Sequence, residues 1–284
     1  MTMKTGIDSY SYHRYFGEVY DTQKDPGRRM SYEDFLRRAM QLEVDGVSLE
    51  TCFLESLEES YLRKLKEITD RGNLEVVVAW GHPDGYEGGK NPGASEDLTK
   101  HFRTCEILGA TVMRIVGSSL SFRNEPRRPQ ITSLIRLLKE PARIASDNGI
   151  RLAMENHFDF TADEILEILQ GVNSDSLGVT YDTGNSFRIG DDPVEAARKM
   201  APHIFATHVK DVAKVGDVDP EEWYHYASVP LGEGVVDIEG IARALIDTGY
   251  SGLFAVEIDY LHPGCEDEDI TVEKSIKYLK SLKV

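Results

Sequence analysis

Four residues of this 284-residue chain have the side chains and the placement to share one cation. Glu155 closes the run RLAME, Asp182 closes VTYD, His208 lies in ATHVKD and Glu257 in FAVEID. Two Glu, one Asp and one His are hard or borderline donors, the set that Mn²⁺ foremost, or Mg²⁺, Co²⁺ or Zn²⁺, accepts. Three carboxylates crowded at the ends of buried strands repel one another and take up protons unless a cation holds them ionised. One such residue alone reads as a helix cap or a salt-bridge partner, and a lone His as a core histidine. Four in the equivalent place on successive runs point to one divalent ion. A proton on carbon beside a carbonyl is too weak an acid for a carboxylate to remove unaided. A metal on the carbonyl oxygen stabilises the enediolate, and a Glu then takes the proton. Returning it to the other face epimerises, returning it to the next carbon isomerises, and losing a β-substituent eliminates.

Strand alternation supplies helpers. His157 shares the face of Glu155 and so points at the same pocket, as a substrate contact or proton shuttle. Lys210 shares the face of His208 and reaches either a substrate oxygen or solvent. Asn185, three residues after Asp182, reads as a substrate or supporting contact, or as the start of a helical turn. Glu50 ends VSLE and Arg114 sits inside TVMRIVGS; each is a substrate contact or structural. His82 ends the run LEVVVAWGH. Trp80, Tyr10, Tyr12 and Phe16 form either an apolar wall beside a ring or part of the core.

These residues need a scaffold that brings strand ends together, and the chain alternates accordingly. TGIDSYSY precedes helix 31–43, where Ser31 and Asp34 have capping-box spacing. VDGVSLET precedes the helix around ESYLRKLKEITDRG, and LEVVVAWG precedes SEDLTKHFRTCEILGA. TVMRIVGS precedes TSLIRLLKEPARIASDNG, where Pro141 is expected to kink or divide the helix. IRLAMENH precedes TADEILEILQGV, and LGVTYDTGN precedes DPVEAARKMAP, with Asp192 as cap and Pro193 at the first helical position. IFATHVKDV runs into an irregular stretch and then VDIEGIARALIDTGY; GLFAVEID precedes TVEKSIKYLKSLK. Eight strand–helix units without a linker predict one closed (β/α)₈ barrel over residues 1–284, its strand C-termini forming the active face. No GxGxxG follows the first strand, which argues against an open dinucleotide-binding sheet. The loop 212–235 is long enough for a lid or a partner surface.

IRLAMENH, VTYDTGN, THVKD and LGEGVVDIEGIARALIDTGYSGLFAVEID together resemble the sugar isomerase/epimerase superfamily, the xylose isomerase-like TIM barrels. The resemblance covers essentially the whole chain and is densest from 150 to 260. It implies a divalent metal on Glu155, Asp182, His208 and Glu257, with the two glutamates facing each other across the substrate as proton-transfer groups. His82 matches a substrate-binding histidine frequent there; at Asn185 several relatives carry histidine. The expected activity is isomerisation or epimerisation of a keto-sugar or polyol-derived ketone. The alternative is a lyase on the same scaffold: a dehydratase, or an enzyme eliminating an aglycone from a 3-oxo-glycoside, as C-glycoside deglycosidases do. The resemblance also implies a homo-oligomer, and SYSYHRYFGEVY with the 212–230 loop leaves room for an accessory subunit.

Composition narrows the partners. A formal net charge of −17 opposes nucleic-acid binding. The one basic cluster, Arg123, Arg127 and Arg128, reads as a solvated loop, or less readily as a docking site for an anionic group. An abasic-site endonuclease needs extra histidines for three metals, and 212–230 has no Asp-x-His pair. A non-catalytic sugar-binding relative would have lost one of the four ligands. The absence of a leader-like or spanning apolar segment, with three scattered cysteines (Cys52, Cys105, Cys265), predicts a cytoplasmic protein with no membrane contact.

Overall fold

The computed structural model describes residues 3–82 and 84–284. Short apolar runs form the strands β1 (Lys4–Asp8), β2 (Gly46–Glu50), β3 (Glu75–Ala79), β4 (Val112–Ile115), β5 (Arg151–Glu155), β6 (Leu177–Asp182) and β7 (Ile204–Val209). A hairpin comes next, β8 (Asp211–Lys214) antiparallel to β9 (Tyr226–Val229), and then β10 (Leu253–Val256). Strands β1 to β7 pair in parallel in chain order, and β10 closes the barrel between β7 and β1. The closed eight-stranded barrel expected from the sequence is the fold.

Alternation sorts each strand into a barrel-facing and a helix-facing set. Val77, Val112, Ala153, Ala206 and Leu253 form a separate apolar cluster that fills the barrel. Two residues on from those on β4, β5 and β7 stand Arg114, Glu155 and His208, and four on from Leu253 stands Glu257, so the chemistry shares the barrel-facing set of the plug and sits above it. Registration of Asp182 against His208, and of His208 against Ala255, keeps neighbouring strand tops level.

Around the barrel lie α1 (His13–Phe16), α2 (Tyr32–Gln41), α3 (Glu59–Arg71), α4 (Ala94–Lys100), α5 (Phe102–Leu108), α6 (Arg127–Asp147), α7 (Ala162–Val172), α8 (Thr183–Arg188), α9 (Pro193–Met200), α10 (Ile238–Asp247) and α11 (Glu268–Ser281). The Ser31–Asp34 capping box is present, each side chain accepting the other's backbone N–H. Ser31→Ala is expected to cost roughly 1 kcal/mol, read as a lower urea midpoint with unchanged slope.

Four sequence expectations need correction. Pro141 does not divide its helix: α6 runs through it, because a buried stripe including Ile131, Leu134, Leu138 and Ala142 outweighs one missing N–H donor. SEDLTKHFRTCEILGA forms two helices joined at His101 instead of one. The first strand ends at Asp8, whose side chain accepts from the Tyr10 N–H and starts a 3₁₀ turn over Ser9–Tyr12. The stretch after β7 is partly regular, since β8 and β9 pair. Asp211 ties both ends of this hairpin region together: its carboxylate accepts from the N–H groups of Val212, Gly232, Gly234 and Val236. A Cβ on Gly234 would overlap Asp211 Oδ1, so glycine is required for that approach.

No helix among the described residues is long and apolar enough to cross a membrane.

Candidate metal centre and substrate cavity

Glu155 and Asp182 are the last residues of β5 and β6, His208 is the penultimate residue of β7, and Glu257 directly follows β10. All four are buried, and one donor atom from each lies within 4.8 Å of the others. Nδ1 of His208 is 3.4 Å from Glu155 Oε1 and 3.3 Å from Glu257 Oε2. Asp182 also caps α8, Oδ1 accepting from the Asn185 N–H at 2.8 Å. Its other oxygen, Oδ2, and Oε2 of Glu257 are buried and form no well-aligned hydrogen bond among the described residues, though both lie beside the Lys210 ammonium.

Charge balance makes the same point. Asp8, Glu50, Glu155, Asp182, Glu257 and Asp259 are buried together with the cations Arg114, Lys210 and Arg188. Arg114 donates to Glu155 Oε2 at 2.5 Å and lies 3.3 Å from Glu50 Oε1. Lys210 Nζ is 3.0 Å from both Asp182 Oδ2 and Glu257 Oε2 and 2.8 Å from Asp259 Oδ2. Burial, then the nearby Glu257 and Glu155 charges, lift Asp182 to about 8 even against Lys210. Burial and Asp8 lift Glu50 to about 7 against Arg114. The protein's own cations therefore leave part of the negative charge unmatched, and the oxygens of Glu155, Asp182 and Glu257 converge with His208 where a divalent ion would supply the rest. The donor set fits such an ion.

Glu155 and Glu257 are held ionised. Despite burial, Arg114 and then His208 keep Glu155 well below the usual carboxylate range, and Lys210 and His208 do the same for Glu257. His208 is raised, burial opposing but the Glu257 and Glu155 charges prevailing. Removing Arg114 would leave Glu50 and Glu155 buried and uncompensated. Arg114→Leu is accordingly expected to destabilise the metal-free protein by roughly 3–5 kcal/mol, measured by chemical denaturation in chelator.

Beside the cluster opens a cavity of about 230 Å³. Its lining includes the polar residues Glu257, Lys210, Arg114 and His157 and the aromatic residues Tyr10, Tyr20, Phe158 and Trp223. Trp223 comes from the β8–β9 connection and stands edge-on to Tyr20, Phe158 and Tyr260.

Residues 36–282 match the family described as the xylose isomerase-like TIM barrel. The chain belongs to this family. The rhizopine catabolism protein MocC of Rhizobium meliloti is 27% identical over 216 residues, 69% of this chain and 66% of that protein, just under two thirds of its length. An inosose dehydratase of Clostridium botulinum is 25% identical over 269 residues, 86% of this chain and 87% of that one. Among solved structures, D-psicose 3-epimerase of Clostridium cellulolyticum H10 superposes with a TM-score of 0.75 at 16% identity, covering 99% of both chains. The IOLI protein with a bound zinc atom gives 0.73 at 17%, covering 97% of this chain and 96% of that one. At these identities the two structures share the fold.

On this xylose isomerase-like barrel the other candidates separate into cavity and support. His157 is at the cavity; burial lowers it to about 4, so the ring is neutral, and its Nδ1 has no hydrogen-bond partner among the described residues. His82 is at the cavity too, its Nε2 2.8 Å from Glu18 Oε1, with the Tyr10 hydroxyl donating to the same oxygen at 3.0 Å. Asn185 is buried beside the cluster, its Nδ2 lying 3.4 Å from Glu155 Oε1 at the long end of hydrogen-bond range. Lys210 does not reach solvent: its stem packs on Gly184, where a Cβ would come within 2.9 Å of it. Glu50 lies beneath, against Arg114, and does not line the cavity. Of the four aromatics, only Tyr10 lines the cavity; the Trp80 indole donates to Asp97, the Tyr12 hydroxyl to Asp269, and Phe16 stacks on Phe53. The basic cluster is spent on acceptors, Arg123 on the Glu221 carbonyl, Arg127 on Glu164 and Arg128 on Glu167.

Sequence reasoning missed Asp8, Glu18, Tyr20, Trp223 and Asp259. Asp259 had a signal, lying two residues beyond Glu257. Glu18 and Trp223 had none: both come from loops, Trp223 lining the cavity and Glu18 holding His82 and Tyr10.

Proposed function

We propose that this chain is a divalent-metal-dependent isomerase or epimerase of a keto-sugar or polyol-derived ketone. The observation that carries the reading is the convergence of Glu155, Asp182, His208 and Glu257 beside a cavity into which Glu257 and the neutral His157 both open. These four residues would hold the ion, with Mn²⁺ preferred and Mg²⁺, Co²⁺ or Zn²⁺ as the other candidates; a zinc atom in the IOLI neighbour supports a metal on this scaffold. Bound there, such an ion polarises a substrate carbonyl and acidifies the adjacent C–H.

The chain's own residues do the rest. Glu257, ionised through Lys210 and His208, takes the proton from carbon on the β10 side. His157, neutral and with a free Nδ1, faces the substrate from the β5 side, with Glu155 behind it as the second proton-transfer group. Arg114 keeps Glu155 charged, and Lys210 keeps Glu257 charged. His82, Asn185, Lys210, Glu50 and Arg114 were the substrate contacts expected from sequence; His82 retains that role, while Arg114, Lys210, Glu50 and Asn185 support the ligands. The aromatic lining residues Tyr10, Tyr20, Phe158 and Trp223 shield the reaction from water.

A second reading, dehydration on the same scaffold, is favoured by the inosose dehydratase match across 87% of that relative. One experiment separates the two. The Mn²⁺-loaded protein is incubated in D₂O with D-fructose, D-tagatose, D-psicose and an inosose, and products are followed by proton NMR and mass spectrometry. Deuterium entering beside the carbonyl with mass otherwise conserved is the expected result. Loss of water from the inosose selects the lyase, and no exchange with any of them removes the isomerase reading.

A further inference from the structure

We propose that Asp8 is a positioning residue for the metal centre, taking the Nε2–H of His208 and thereby committing Nδ1 to the ion. The inference rests on the metal-dependent reading above. Asp8 ends β1, and its residue surface is 0% exposed. Its two oxygens have different fates. Oδ1 accepts from the Tyr10 N–H at 2.6 Å, whereas Oδ2 is buried without a hydrogen-bond donor and lies 3.4 Å from Nε2 of His208.

A neutral imidazole has one lone-pair nitrogen and one N–H. Nδ1 of His208 faces the oxygens of Glu155 and Glu257, so it is the nitrogen that an ion among those oxygens would use. Nε2 must then carry the hydrogen, in a place where the residue is 1% exposed and bulk solvent cannot accept it. The orphaned Oδ2 supplies the acceptor. At 3.4 Å the pair is longer than a well-formed N–H···O bond; with an ion held on Nδ1, Asp8 Oδ2 would be the acceptor within reach of the Nε2–H. An outer carboxylate of this kind fixes the tautomer and ring orientation and makes the ligand more basic.

Asp8→Asn tests this without removing the turn. The amide oxygen can still accept from the Tyr10 N–H, but the NH₂ group then faces Nε2. Nε2 must become the acceptor, which moves the ring hydrogen to Nδ1 and blocks the ligand lone pair. The expected result is a Zn²⁺ dissociation constant, measured by competition with a fluorescent chelator, raised about 10–100-fold, with the metal-free melting temperature close to that of the unmodified protein. Asp8→Asn binding Zn²⁺ as tightly as the unmodified protein overturns the inference alone. An unmodified protein that binds no Zn²⁺ overturns the metal-dependent reading and this inference with it. A second measurement needs no substitution: the Co²⁺-loaded protein should show a paramagnetically shifted imidazole N–H line that exchanges slowly with solvent. Absence of that line, with Co²⁺ bound, also overturns the role of Asp8.

Discussion

His208→Ala should purify without a bound divalent ion, while the unmodified protein carries close to one per chain. Inductively coupled plasma mass spectrometry on protein prepared without chelator reads both. The substitution removes the one neutral donor from a cage whose other three members are carboxylates, and it removes the group lying between Glu155 and Glu257. Two acidic oxygens then face each other with less compensation, and proton uptake competes with metal for them. Losing a ligand outright should exceed the roughly 10–100-fold effect of losing an outer-shell partner, so the ion is lost in purification. One ion per chain in the variant would place the metal elsewhere. About three zinc ions in the unmodified protein would point back to the nuclease class. None, even after Mn²⁺ is added, would leave RLAMENH as a structural strand end.

The largest kinetic effect belongs to Glu257. Glu257→Gln keeps the shape and one oxygen donor but cannot accept a proton from carbon. The turnover number should fall roughly 10²–10⁴-fold, with metal content retained and the fall matched by slower solvent-deuterium exchange. Lys210 keeps Asp182 and Asp259 as partners, so a general collapse of the site is not expected. Glu155→Gln gives the informative comparison, because Glu155 does not line the cavity and is held by Arg114. A larger loss from Glu155→Gln than from Glu257→Gln would reverse the assignment of the base.

Which parts of the site could be read beforehand depends on where each residue sits on its strand. Glu155, Asp182, His208 and Glu257 were visible because alternation fixes the face of a strand residue, and each apolar run announces its own end. The same rule applied to Asp8, but TGIDSYSY continues with residues that suit a strand, and only the observed turn at Ser9 ends β1 at the aspartate. α8 was signalled only by Asn185 as the start of a helical turn: TGNSFR has little helical pattern, and the helix starts because Asp182 caps it from the strand top.

The sequence by itself determined the barrel and the placement of the four candidate donors at neighbouring strand ends, since these depend on local periodicity and on parallel strands standing side by side. Only the tertiary structure decided who neutralises whom. Arg114 lies 41 residues from Glu155 and Lys210 lies 49 from Asp259, and nothing local couples their types. The same holds for the cavity wall, where Tyr20, Phe158 and Trp223 arrive from three separate loops. Ion pairs and aromatic contacts form between side chains that meet in space, and chain closure, not neighbouring sequence, sets which ones meet.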